Sequence, residues 1–203
     1  MKSSLSLASV LVVSVTLTSC ENRAHLMTQT NPSPTAGFKV RLKIDNAPGP
    51  FEIIDVGGQF DVRNSNQCGK VIPAVGLPSK IVKSKDVSLT RVGDDEYEGV
   101  IYLDTMQDED YYGRGVCHWE LIRAYAVLIA ADEVKDTSFA VSLPVHDLVK
   151  DGATTRYFVH ADYPRLDEVD GYTAGGKKTP DEFLPEYRAH VFSMTLSSLG
   201  AAE

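Results

Sequence analysis

Gly113-Arg114-Gly115-Val116-Cys117-His118-Trp119-Glu120-Leu121-Ile122-Arg123-Ala124-Tyr125 holds the only tryptophan of the chain and one of its three cysteines. Side chains alternate along a strand, so the stretch reads as a strand entering the core with Cys117, Trp119, Leu121 and Tyr125 on one face. Gly113 and Gly115 just upstream suggest a tight turn or bulge that aims the cysteine and the indole inward. A disulfide beside an indole is a common fastening between the two layers of an all-β domain. The apolar run continues to Ala131, and its alanines could suit a helix. Valine, isoleucine and tyrosine dominate it and no N-cap precedes it, which favours a strand through about Leu128.

Outward from that strand, Phe38, Val40, Leu42 and Ile44 alternate with Lys39, Arg41 and Lys43, the pattern of a strand with one solvated face. Phe51 to Val56 reads as a second strand closed by Gly57-Gly58. Asn64 to Ser79 is loop-like, and Ser88 to Leu103 reads as a hairpin turning at Gly93-Asp94-Asp95. The loop after that hairpin leads into the central strand, and the two strands flanking it are expected to pair antiparallel. Further strands are expected around Phe139 to Leu143, Arg156 to Ala161 and Val191 to Leu196, with a helical turn at His146 to Lys150. Pro164 to Glu186 has no period, and loops of that length in a compact domain are functional or disordered. Many short strands with closely spaced turns and little helix predict an all-β fold. The expected form is a single β-sandwich domain over residues 37–203, with long loops and one interlayer disulfide.

The chain has 203 residues, 43% hydrophobic and 24% charged, enough to bury one full core. A net charge of -8 argues against nucleic acid, whose phosphates need a basic face. Met1-Lys2-Ser3-Ser4, an uncharged apolar run from Leu5 to Leu17 and the small residues after it form a secretory signal peptide. Leu17-Thr18-Ser19-Cys20 resembles the lipobox of bacterial lipoproteins. That resemblance implies a signal peptide over 1–19, cleavage before Cys20 and acylation of Cys20, so that the chain meets the membrane there. In that class Glu21 after the cysteine implies transfer to the outer membrane, facing the periplasm. Residues 20–36, ending in Asn31-Pro32-Ser33-Pro34, then read as a lipidated flexible tether.

With Cys20 assigned to lipid, Cys68 and Cys117 are left as the one pair in an oxidising compartment. A redox or metal site is the competing reading, but no CxxC spacing or Cys/His cluster accompanies them. The five histidines show no metal spacing and no serine sits in a nucleophile elbow, so no catalytic residue, metal or cofactor is assigned. The acidic loop Asp104, Asp108, Glu109, Asp110 with Tyr111 and Tyr112 is the candidate partner-binding set. Its aromatic residues could anchor in a partner while its charges steer a basic protein. Solvated loops of an acidic protein, or a weak cation site, are the competing readings of the same carboxylates.

The lipobox, Cys68-Gly69 followed by Pro73, and Tyr112-Gly113-Arg114-Gly115-Val116-Cys117-His118-Trp119-Glu120 resemble a set of uncharacterised lipoproteins from Xanthomonas-like and related proteobacteria. The resemblance implies a periplasmic binding protein without catalysis. Its implied role is that of an immunity protein occluding a secreted antibacterial toxin. The alternative is an envelope assembly or structural lipoprotein, whose partners are other envelope proteins.

Overall fold

A computed structural model describes residues 28–74, 76–131 and 135–202. The signal peptide expected over 1–19 and the acylated Cys20 lie outside the described residues. The chain forms β1 (Gly37–Asp45), β2 (Ile53–Val62), α1 (Ser65–Cys68), β3 (Val71–Ile72), β4 (Leu77–Pro78) and β5 (Val82–Asp86). It continues through β6 (Thr90–Gly93), β7 (Glu96–Tyr102), β8 (Trp119–Ile129), β9 (Ser138–Pro144) and α2 (Val145–Leu148). The last strands are β10 (Ala153–Val159), β11 (Thr173–Ala174) and β12 (Val191–Ala201). One five-stranded sheet runs β10-β12-β1-β7-β6, a second runs β11-β9-β8-β2-β5, and β3 and β4 make a small separate hairpin.

The two large sheets face each other, as the alternating pattern requires. Val40, Leu42 and Ile44 of β1 and Phe192, Met194 and Leu196 of β12 point inward from the first. Val56 and Phe60 of β2, Leu121, Ala124, Ala126 and Leu128 of β8 and Phe139, Val141 and Leu143 of β9 supply the opposing layer. Each fully buried Leu or Phe stabilises the folded state by about 1.5–3 kcal/mol relative to exposure. The fold is therefore the β-sandwich that the alternation predicts.

The two ends of the sandwich differ. At one end Gly37 pairs with Tyr102 and Phe38 with Ala201. Trp119 at the start of β8 lies at this end too, because its amide donates to Asp108 in the loop that follows β7. At the other end Asp45 pairs with Ser193 and Val159 with Val191. There Phe51 packs edge-on against Phe139 and tilted against Phe192, with ring centroids 5.9 and 5.8 Å apart, between the two sheets.

Several expectations need correction. β2 does not stop at Gly57-Gly58 but runs through them to Val62. A Cβ on Gly57 would lie 2.4 Å from the Tyr125 hydroxyl and 2.7 Å from the Lys85 carbonyl, so glycine here makes room for neighbours instead of breaking the strand. Tyr125 does not share the inward face of Trp119 and Leu121. The register of β8 on β2 shifts between Gln59 and Phe60, opposite the extra residue Ile122, and this bulge turns Ala124, Ala126 and Leu128 inward and Tyr125 outward.

The loop 103–118 joins strands of different sheets, so β7 and β8 are not the antiparallel pair expected from their order. The Cys68–Cys117 disulfide is present, with Cα atoms 5.4 Å apart, but it does not run between the sheets. Cys68 follows β2 and Cys117 precedes β8, which are neighbours in one sheet, so the bridge closes one corner of that sheet. With Val62 and Ile81 the two cysteines form a second small core, against which Tyr111, Tyr112 and Trp119 pack.

The tether expected through residue 36 is also shorter than its composition suggests. Asn31 N donates to Thr105 O at 2.8 Å, Gln107 N to Gln29 O at 3.0 Å and Leu103 N to Ala36 O at 2.9 Å. Residues 29–36 therefore lie along the domain, held by backbone pairing that needs no apolar period.

Candidate functional site

The acidic loop gathers at the end of the sandwich where residues 29–36 dock. Asp104 holds that segment: its Oδ2 accepts from Thr35 N at 2.9 Å and its Oδ1 from Ala36 N at 3.1 Å, while Asn31 Nδ2 donates to its carbonyl at 3.0 Å. Partial burial pushes the Asp104 carboxyl up, but the two amides outweigh it and hold the group below the usual carboxylate range. Asp108 is likewise engaged, accepting from Trp119 N at 2.8 Å through one oxygen and meeting His118 Nδ1 at 2.6 Å through the other.

Asp110 organises the turn that carries the two glycines. Its Oδ1 accepts from Arg114 N at 2.9 Å and Tyr112 N at 3.3 Å, and the Arg114 amide leads the backbone donors that hold its carboxyl low. Gly113 and Gly115, at φ 68° and 105°, supply the left-handed backbone that this wrapping needs. Glu109 pairs through its backbone with Cys117, whose amide donates to its carbonyl at 2.9 Å. Tyr111 lies edge-on to Trp119 with centroids 6.3 Å apart, and its hydroxyl donates to the Gln107 carbonyl.

The six residues expected to bind a partner are thus brought together, but Asp104, Asp108 and Asp110 serve the chain's own amides. A carboxylate committed to backbone donors is costly to redirect toward a partner. What the loop does in the structure is fasten the incoming chain and shape the disulfide corner.

The opposite end carries the long segment between β10 and β12. It is tied down along its length. Tyr157 and Lys177 exchange backbone hydrogen bonds of 2.9 Å in each direction, Leu166 N donates to Thr137 Oγ1 at 3.1 Å, and β11 pairs parallel with β9. Glu182 Oε1 accepts from Thr179 N at 3.0 Å in a capping box, and Arg188 donates to the carbonyls of Asp181 and Phe183 at 3.0 Å each. Gly176, at φ 64°, lets the chain turn tightly over Phe158, whose ring would lie 2.8 Å from a Cβ there.

This scaffold leaves apolar side chains in solvent. Leu184 is 61% exposed, Val169 48% and Tyr187 40%. Leu184 and Tyr187 border a cavity of about 500 Å³ lined also by Asp162, Leu166, Asp167 and Phe183. Asp162 is half-buried, and burial alone pushes its carboxyl above the usual range. The sequence marks this segment as a long loop, with Lys177-Lys178 read as a solvated tip, and assigns no binding residue in it. The available signal is Phe183-Leu184 and Tyr187, apolar residues in an otherwise polar run.

Among the described residues no group of three His, Cys, Asp or Glu is placed to hold a metal ion, and no helix is long and apolar enough to cross a membrane. No family model, curated protein or solved structure matches the chain.

Proposed function

We propose that this protein is a lipid-anchored binding protein of the cell envelope, facing the periplasm from the outer membrane. We propose further that it acts as an immunity protein, holding a secreted antibacterial toxin. The observation that carries the reading is the opposed use of the two ends. The end nearest Cys20 in the chain is spent on internal hydrogen bonds, whereas the far end presents exposed Leu184 and Tyr187 beside a cavity on a well-tied loop.

From Cys20 to Thr28 is eight residues, a reach of at most about 28 Å. An acyl group on Cys20 keeps the docked end close to the bilayer and turns the opposite end toward the periplasm. The net charge of -8 favours a basic partner by steering its approach. Apolar and aromatic side chains on a pre-ordered loop then supply the buried contacts, with little ordering cost on binding.

The test is affinity capture with the full chain in mild detergent, against secreted and envelope fractions of the same strain, read by mass spectrometry. One stoichiometric secreted enzyme is the expected result. Recovery of envelope lipoproteins or barrels alone would replace the immunity role with an assembly or structural one. The mass of the N-terminal peptide, with or without diacylglycerol and acyl chain on Cys20, checks the anchor independently.

A further inference from the structure

The cavity at the far end has the composition of a receptor for one kind of side chain. Leu166, Phe183, Leu184 and Tyr187 give it apolar and aromatic walls. Among the described residues lining it are four carboxylates, from Asp162, Asp167, Glu168 and Glu182, and one ammonium, from Lys177. Glu182 is already used to cap the turn at Thr179 and Lys178. Asp162 is different: it stands at the junction of this cavity with a smaller one of about 150 Å³, and its carboxyl has no hydrogen bond or ion pair among the described residues. Lys177 lines both cavities without pairing to it.

Partial burial strips some of the hydration from the Asp162 carboxylate, and a cation that reaches it offsets that loss. The walls choose among cations. A compact, strongly hydrated ammonium gains little from aromatic faces, whereas a guanidinium is weakly hydrated, stacks on such rings and can engage a carboxylate through two parallel hydrogen bonds. The methylene stem of the same side chain would cover Leu166 and Leu184.

We propose that this cavity receives an arginine side chain of the partner protein, its guanidinium at Asp162 and its stem against the apolar wall. The proposal rests on the reading of the far end as the binding face. Arginine enters from outside, so the site adds specificity to the exposed apolar side chains of Leu184 and Tyr187 beside it. Arginine is among the side chains enriched where interface affinity concentrates, and truncating one partner of an enclosed charge pair speeds dissociation.

The experiment uses N-acetyl-arginine methylamide as the probe and the full chain in zwitterionic detergent, followed by heteronuclear NMR. Saturable shifts confined to Asp162, Phe183 and Tyr187 are expected, with affinity reduced about tenfold or more in Asp162→Asn. Asp162→Asn removes a charge that no hydrogen bond or ion pair among the described residues compensates, so it should melt no lower than the parent. Tyr187→Ala, which removes an exposed ring, should weaken the same probe. Equal binding of N-acetyl-lysine methylamide would overturn the assignment to arginine. Absence of saturable shifts, or unchanged shifts in Asp162→Asn, would overturn the site.

The two readings fail separately. If the captured partner binds the parent and Asp162→Asn equally, the cavity assignment is wrong and the binding role stands. If the probe binds as expected while no secreted protein is captured, the immunity role is wrong and the cavity stands.

Discussion

Replacing both bridging cysteines, Cys68→Ala with Cys117→Ala, tests how this sandwich is held together. The bridge closes a sequence separation of 49 residues. In the chain-entropy model a loop of that size restricts the unfolded chain by about 4 kcal/mol at 25 °C. The contribution is global despite the local position of the bond. The segment between the cysteines contains β5 of one sheet and β6 and β7 of the other, so restricting it in the unfolded chain favours both layers at once. With a urea slope of about 2 kcal/mol per molar, the midpoint should fall by about 2 M.

Trp119 makes the experiment discriminating. It is the only tryptophan, it packs on both the main core and the disulfide core, and Tyr111 lies edge-on against it. Its fluorescence should move together with far-UV circular dichroism if the loss is global. A midpoint within about 0.5 M of the parent by both probes would refute the entropy argument. A Trp119 transition that shifts while the dichroism does not would show that the bridge stabilises only its own corner.

Asp104→Ala should release residues 29–36, seen as faster amide exchange at Thr35 and Ala36, with a loss of about 1 kcal/mol, as for a removed N-cap. The carboxyls of Asp104 and Asp110 are both held low in the folded state. Their contribution is therefore complete above the unfolded value of about 3.9 and is lost as pH falls through the lower folded value, so exchange at Thr35 and Arg114 should accelerate only in that acid window. Gly57→Val should cost about 1–3 kcal/mol in a thermal or urea melt, because its Cβ meets Tyr125 and the Lys85 carbonyl. Charge reversal by Asp110→Lys should loosen the turn at Gly113 to Gly115 in amide exchange yet leave capture of the partner unchanged. Loss of capture with an intact turn would return the acidic loop to the interface.

The sequence makes legible those elements whose two faces see different solvents. β1, β9 and β12 alternate cleanly because one face is buried and the other is not, and their positions follow directly. β8 is legible as a strand but not in its facing, since Leu121 and Ile122 are both apolar and nothing in their order marks which one is the bulge. β2 is obscured by Gly57-Gly58, which look like punctuation but answer to Tyr125, a residue 68 positions away in the chain. The cysteine count identifies the bridge, while its position within one sheet depends on strand order, which pairing rules leave open. Residues 29–36 carry no apolar signal because backbone pairing and the Asp104 carboxylate hold them, and polar side chains are the same in a docked segment as in a free one.

The acidic loop stands out in the sequence and the far cavity does not, for a related physical reason. Clustered Asp and Tyr in one short run are visible to the eye, yet such clusters form wherever many backbone amides must be satisfied locally, and here Asp104, Asp108 and Asp110 each accept main-chain donors. The far cavity has the opposite signature. Its parts, Asp162, Leu166, Phe183 and Tyr187, are scattered over a segment without period, and only the ties at Thr137, Lys177 and Glu182 bring them together. A carboxylate that finds its partner inside the chain builds the fold. Asp162 is half-buried with no hydrogen bond or ion pair among the described residues, and that is why the proposed arginine of a partner is placed there.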